Sequence, residues 1–129
     1  MLEFIKGFPE AVVAISAKGR VTARDYDEVL IPRVEEALKR YGKVDLYYEL
    51  GEEFTGIDAE AAWKDFKVGV EHLARWGRMA LVTDVEWIRL AVNAFRFLMP
   101  GRIRVFPTAE AGQARAWIGG GQAFECTGK

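Results

Sequence analysis

One cysteine, one histidine and one serine among 129 residues leave little material for covalent chemistry. Cys126 alone can build neither a disulfide framework nor a cysteine metal site within one chain. His72 stands beside Glu71 on a predicted helix and has no serine to serve, because Ser16 lies in a predicted strand. A hydrolytic triad is therefore excluded for want of parts. No Walker A or G-x-G-x-x-G loop is present, and Gly119-Gly120-Gly121 follows a helix where a phosphate loop follows a strand. No apolar run approaches the ~20 residues of a membrane span. Glu3 and Lys6 interrupt the first residues, so a signal-peptide pattern is missing too. These absences predict a cytoplasmic protein whose only membrane option is a peripheral contact at the inner face. The acids Glu49, Glu52, Glu53 and Asp58 are too loosely spaced to specify a metal, and no cofactor is expected.

What is present is a domain-sized, half-hydrophobic chain with charge polarity. Residues 1–74 hold ten basic against fifteen acidic side chains. Residues 75–104 reverse this, with Arg75, Arg78, Arg89, Arg96, Arg102 and Arg104 against Asp84 and Glu86. Six arginines in a mildly acidic protein do not make a duplex-binding footprint, so no nucleic-acid partner is expected. The same excess suits either an ordinary solvated face or an anionic membrane surface, at about 1 kcal/mol per basic residue.

Leu2 to Ile5 and Val12 to Ala17 read as an antiparallel strand pair around Gly7-Phe8-Pro9. Thr22 and Asp25 form a predicted capping box for a helix that runs to Gly42, with Pro32 expected to kink or split it. Val44 to Leu50 reads as a buried strand. Ala59, Ala62, Trp63, Phe66, Val70 and Leu73 form the apolar face of a second helix. Met79 to Thr83 is a short central strand. Thr83-Asp84-Val85-Glu86 resembles a capping box for a third helix over 85–99, and Pro100-Gly101 stops it. Ile103 to Phe106 is the last strand, and Thr108 caps a final helix. The expected fold is α/β: one domain over 1–118, a mostly parallel five-stranded sheet with its first strand antiparallel, and about four helices. Residues 119–129 read as a flexible tail. Ligands of such sheets sit outside the carboxyl ends of the strands, here Glu49 to Gly56, Thr83 to Trp87 and Phe106 to Thr108.

The third helix has too little polar surface for its place. At about 100° per residue, Glu86, Arg89, Asn93 and Arg96 share one stripe roughly 80° wide. Apolar residues fill both remaining sides: Val85, Ile88, Val92, Phe95 and Met99 on one, Trp87, Leu90, Ala91, Ala94, Phe97 and Leu98 on the other. One apolar stripe docks a helix on its core; the second needs another partner.

Several short features in order resemble the bacterial proteins similar to stage II sporulation protein AA, whose STAS-type fold is related to CRAL-TRIO lipid-carrier domains. They are Trp63-Lys64-Asp65, the run Arg78 to Asp84 leading to Trp87, Val105-Phe106, and Ala114 to Trp117. The resemblance covers about residues 1–118 and implies a non-catalytic binding module. It also implies a partner switch, in which an anti-sigma-factor antagonist is phosphorylated on a serine after the third strand. That region reads Gly51 to Asp58 here and has no serine. Thr55 is its sole hydroxyl, flanked by acids that disfavour a phosphate.

The expected functions are ordered accordingly. First comes a homodimeric module that binds an apolar or lipid-like molecule or an anionic membrane surface. Trp63, Phe66, Asp84, Trp87, Phe95 and Leu98 are its candidate ligand residues, with Trp63 and Phe66 as the opposing wall. Trp87, Arg89, Arg96 and Phe97 are its contact residues. Trp63, Phe66 and Trp87 have a competing role as core aromatics, and Asp84 one in helix capping. Second comes a regulatory switch with a protein partner, using Thr55. Third comes a small enzyme pairing Asp84 with Lys64 or Glu49, which requires convergence on one reacting atom. Separable helices flanked by glycines are expected if an apolar ligand enters.

Overall fold

In a computed structural model, residues 1–9, 11–61, 63, 64, 67, 76–95 and 103–118 are described. Strand β1 (Leu2–Phe4) pairs antiparallel with β2 (Val12–Val21). Helix α1 (Ala23–Asp25) passes through a π turn (Tyr26–Leu30) into α2 (Ile31–Tyr41). Then follow β3 (Val44–Ile57), a helix α3 that includes residues 59–61, 63, 64 and 67, and β4 (Trp76–Thr83). Helix α4 (Glu86–Phe95), β5 (Ile103–Phe106), a 3-10 turn (Thr108–Glu110) and α5 (Ala111–Ile118) complete the order. The strands lie side by side as β1-β2-β3-β4-β5, all pairs after the first being parallel.

The first helix forms as its sequence dictates at both ends. Thr22 Oγ1 accepts from the Asp25 amide, and Asp25 Oδ2 accepts from the Thr22 amide at 2.9 Å. Gly42 ends it with φ +78, donating to the Leu38 carbonyl at 2.9 Å, a conformation glycine adopts without steric cost. Pro32, expected to kink or split the helix, follows a π turn that separates α1 from α2. Proline lacks an amide and crowds the carbonyl four residues earlier. The preceding turn widens instead, and the Ile31 amide bonds to the Tyr26 carbonyl, five residues back.

β2 and β3 outrun their predicted ends at Ala17 and Leu50. Between the pairs Val12–Asp45 and Val21–Ile57, β3 carries three more residues than β2, absorbed in register shifts around Gly19. Phe54 and Ile57 still pack on the core, which fixes this irregular extension. The polar run Gly51-Glu52-Glu53 hides it from any test of alternation. The expected ligand segment Glu49 to Gly56 is thus strand, not a loop beyond one.

Three successive right-handed crossovers in one direction place α2, α3 and α4 on the same face of the sheet. Their core joins Val13, Ile15, Tyr48 and Leu50 to Tyr26, Val34, Ala61 and Ile88. α5 returns on the other face, where Ala114 and Ile118 cover Val12, Ala14, Tyr47, Ala80, Val82 and Phe106. Adjacent strands β4 and β5 therefore send their chains to opposite faces. Such a divergence of neighbouring strand ends is where ligands of open sheets bind, and here the Asp84–Thr108 hydrogen bonds span it.

β3 and β4 approach closely at Gly77. Asp45 Oδ1 accepts from the Arg78 amide at 2.8 Å and lies 2.1 Å from where a Gly77 side chain would begin. Gly77→Ala is expected to displace that carboxylate and lower stability by roughly 1–3 kcal/mol, read from the urea midpoint at unchanged slope.

Candidate binding surface at the carboxyl end of the sheet

β4 ends on Thr83, which is fully buried. Its hydroxyl accepts from the Val85 amide at 3.0 Å, and its carbonyl accepts from Arg89 Nη1 at 3.3 Å. The Arg89 amide bonds to the Val85 carbonyl at 3.1 Å, so α4 starts directly after the end of β4. Asp84 leaves α4 and crosses to the next strand's loop. Its Oδ1 accepts from the Thr108 amide at 3.0 Å and its Oδ2 from the Thr108 hydroxyl in a short hydrogen bond. The predicted capping box over Thr83 to Glu86 is replaced by a bond from the Val85 amide to the Thr83 hydroxyl, ahead of α4, which starts at Glu86. Thr108 stands at the start of the final helical segment, where amides lack partners within the helix, and these donors claim the carboxylate.

The Thr108 hydroxyl and amide hold the Asp84 carboxyl below the usual carboxylate range, and the charge of Arg89 acts in the same direction. A lowered folded-state value contributes stability above the unfolded value of 3.8, lost as pH falls through the folded value. Asp84→Asn is expected to narrow its stability deficit as acid is added, so its urea midpoint converges on that of the wild type at low pH.

The three groups of the enzymatic reading each have a separate partner. Asp84 is engaged by Thr108, Lys64 pairs with Asp27 at 3.1 Å, and Glu49 accepts from the Tyr47 hydroxyl at 2.9 Å. Lys64 belongs to α3 on one face of the sheet, whereas Tyr47 packs in the core of the other. Among the described residues no group of acids, histidine or cysteine is arranged to hold a metal ion. Thr55 is exposed within β3, so the position expected on a switch loop is a strand position.

α4 divides its apolar residues between two environments. Ile88 is 8% exposed in the core, with Val85 and Val92 packed beside it. On the opposite side Trp87 is 55% and Leu90 63% exposed, and Ala91 and Ala94 are exposed too. Trp63 on α3 is 60% exposed. Trp63 and Trp87 are thus surface residues, against the reading that counts them as core aromatics. Arg89, an expected contact residue, donates Nη1 to the Thr83 carbonyl. His72, Cys126, Phe66, Arg96, Phe97, Leu98, the Phe95 side chain and the tail 119–129 lie outside the described residues. Sequence reasoning missed Thr108 as the partner of Asp84, for which no local spacing signal exists.

An antiparallel first strand, three helices on one face and a closing helix on the other define a STAS-type α/β domain. The SpoIIAA-like family model matches residues 12–119, and the chain belongs to the SpoIIAA-like family. It is similar to a crystal structure of an uncharacterized protein from the DUF3478 family with a SpoIIAA-like fold, from Shewanella loihica PV-4. The two are 25% identical over 91% of this chain and 93% of that one, with a TM-score of 0.67. No curated protein matches.

Proposed function

We propose that this chain is a non-catalytic STAS-type binding module that docks an apolar or lipid-like partner on the outer side of α4. The observation that carries this reading is the exposure of Trp87 and Leu90 opposite buried Ile88 on one short helix, with Trp63 exposed on the preceding one. Burying what remains exposed of Trp87 and Leu90 contributes on the order of 2–4 kcal/mol. That suits a reversible contact rather than a permanent one. No helix of the described residues is long and apolar enough to cross a membrane, so a bilayer contact through α4 is peripheral.

Native mass spectrometry of freshly purified protein, with and without oleate, and co-sedimentation with phosphatidylglycerol vesicles test the proposal. A bound apolar molecule, a dimer or vesicle capture supports it. A ligand-free monomer indifferent to oleate and vesicles overturns it.

A further inference from the structure

We propose that Arg78 and Arg104 form an oxyanion site, selective for a phosphate monoester, on the face of the sheet opposite α4. The argument begins with register. Ala80 of β4 pairs with Arg104 of β5, and Arg78 lies two residues before Ala80, on the same face. The two arginines are diagonal neighbours on one face of adjacent parallel strands. Both then lean on one indole: the guanidinium carbons of Arg78 and Arg104 lie 5.4 and 5.2 Å from the Trp117 ring centroid. Arg104 also stacks 4.9 Å from the Phe106 centroid.

Stacking fixes a planar guanidinium and leaves its N–H edge free to meet two oxygens at once. Arg78 spends one donor, Nη1, on the Trp117 carbonyl at the end of α5, at 2.8 Å. A guanidinium has five N–H groups, so donors remain. Both side chains are exposed. Lys18, Arg20, Arg24 and Lys64 each have a carboxylate partner, whereas Arg78 and Arg104 have none among the described residues. Asp45 is the acid beside them, and its Oδ1 is already bound to the Arg78 amide. Two preordered guanidinium groups that share one ring, with no carboxylate paired to either among the described residues, fit a doubly charged tetrahedral anion. The site stands apart from the α4 surface and does not depend on the function proposed for it.

The test follows the Trp117 indole N–H by NMR in the full-length chain, titrated with inorganic phosphate at ionic strength held constant with sodium chloride. A saturable shift is expected, weakened about tenfold or more by Arg104→Gln and unchanged by Arg24→Gln. Arg78→Gln should act like Arg104→Gln; if it unseats α5, Arg104→Gln carries the test alone. Parallel titrations with glycerol phosphate and dihexanoyl phosphatidic acid separate a soluble metabolite from a lipid headgroup, tighter binding naming the source. A shift that chloride reproduces, or equal affinity in Arg104→Gln, overturns the proposal.

Discussion

Serine at both Trp87 and Leu90 is expected to leave the protein folded and to weaken its apolar contact by about thirtyfold or more. Stability should hold because both side chains are more than half exposed and neither belongs to the buried core. Surface changes of this kind stay within about 0.5 kcal/mol each. Affinity should fall because these two are the large apolar side chains exposed on α4 among the described residues. Urea denaturation of the double variant, beside its binding to oleate and phosphatidylglycerol vesicles, separates the two effects. Equal loss of stability and binding would mean that the outer side of α4 is structural.

The inner side should respond in the opposite way. Ile88→Ala is expected to cost about 2–4 kcal/mol, because Ile88 is almost fully buried in the core between the helices and the sheet. Leu90→Ala, two residues along the same helix, should cost within about 0.5 kcal/mol. The contrast between two aliphatic truncations one half-turn apart measures how sharply α4 divides core from surface. Similar costs at both positions would place a buried partner over Leu90 within the monomer itself.

The division of α4 is legible from its sequence because helical periodicity is local. Val85, Ile88 and Val92 fall on one side at 100° per residue, and the fold buries that side. The mostly parallel sheet with its antiparallel first strand is legible for a related reason: alternating strands and helices require right-handed crossovers. The extension of β3 to Ile57 was not, since it depends on register shifts against β2 that no pattern in Gly51 to Ile57 encodes. Trp63 and Trp87 show a further limit. Aromatic mass predicts burial in general, yet at these two positions the helix face decides, and both stay exposed. Asp84 shows the converse. Thr83 and Glu86 around it predict a cap, but its partner Thr108 comes from a loop 24 residues away. The stack of Arg78 and Arg104 on Trp117 likewise needs three elements to meet.

The central claim, that the outer side of α4 is a contact surface, is tested most directly by the fluorescence of Trp87 itself. Subtracting the emission of a Trp87→Phe chain from that of the wild type isolates this indole, which is 55% exposed in the free protein. On adding phosphatidylglycerol vesicles or oleate, the difference spectrum should move to shorter wavelength and saturate, as an indole does on leaving water. A difference spectrum unchanged by vesicles, by oleate and by rising protein concentration would contradict the account.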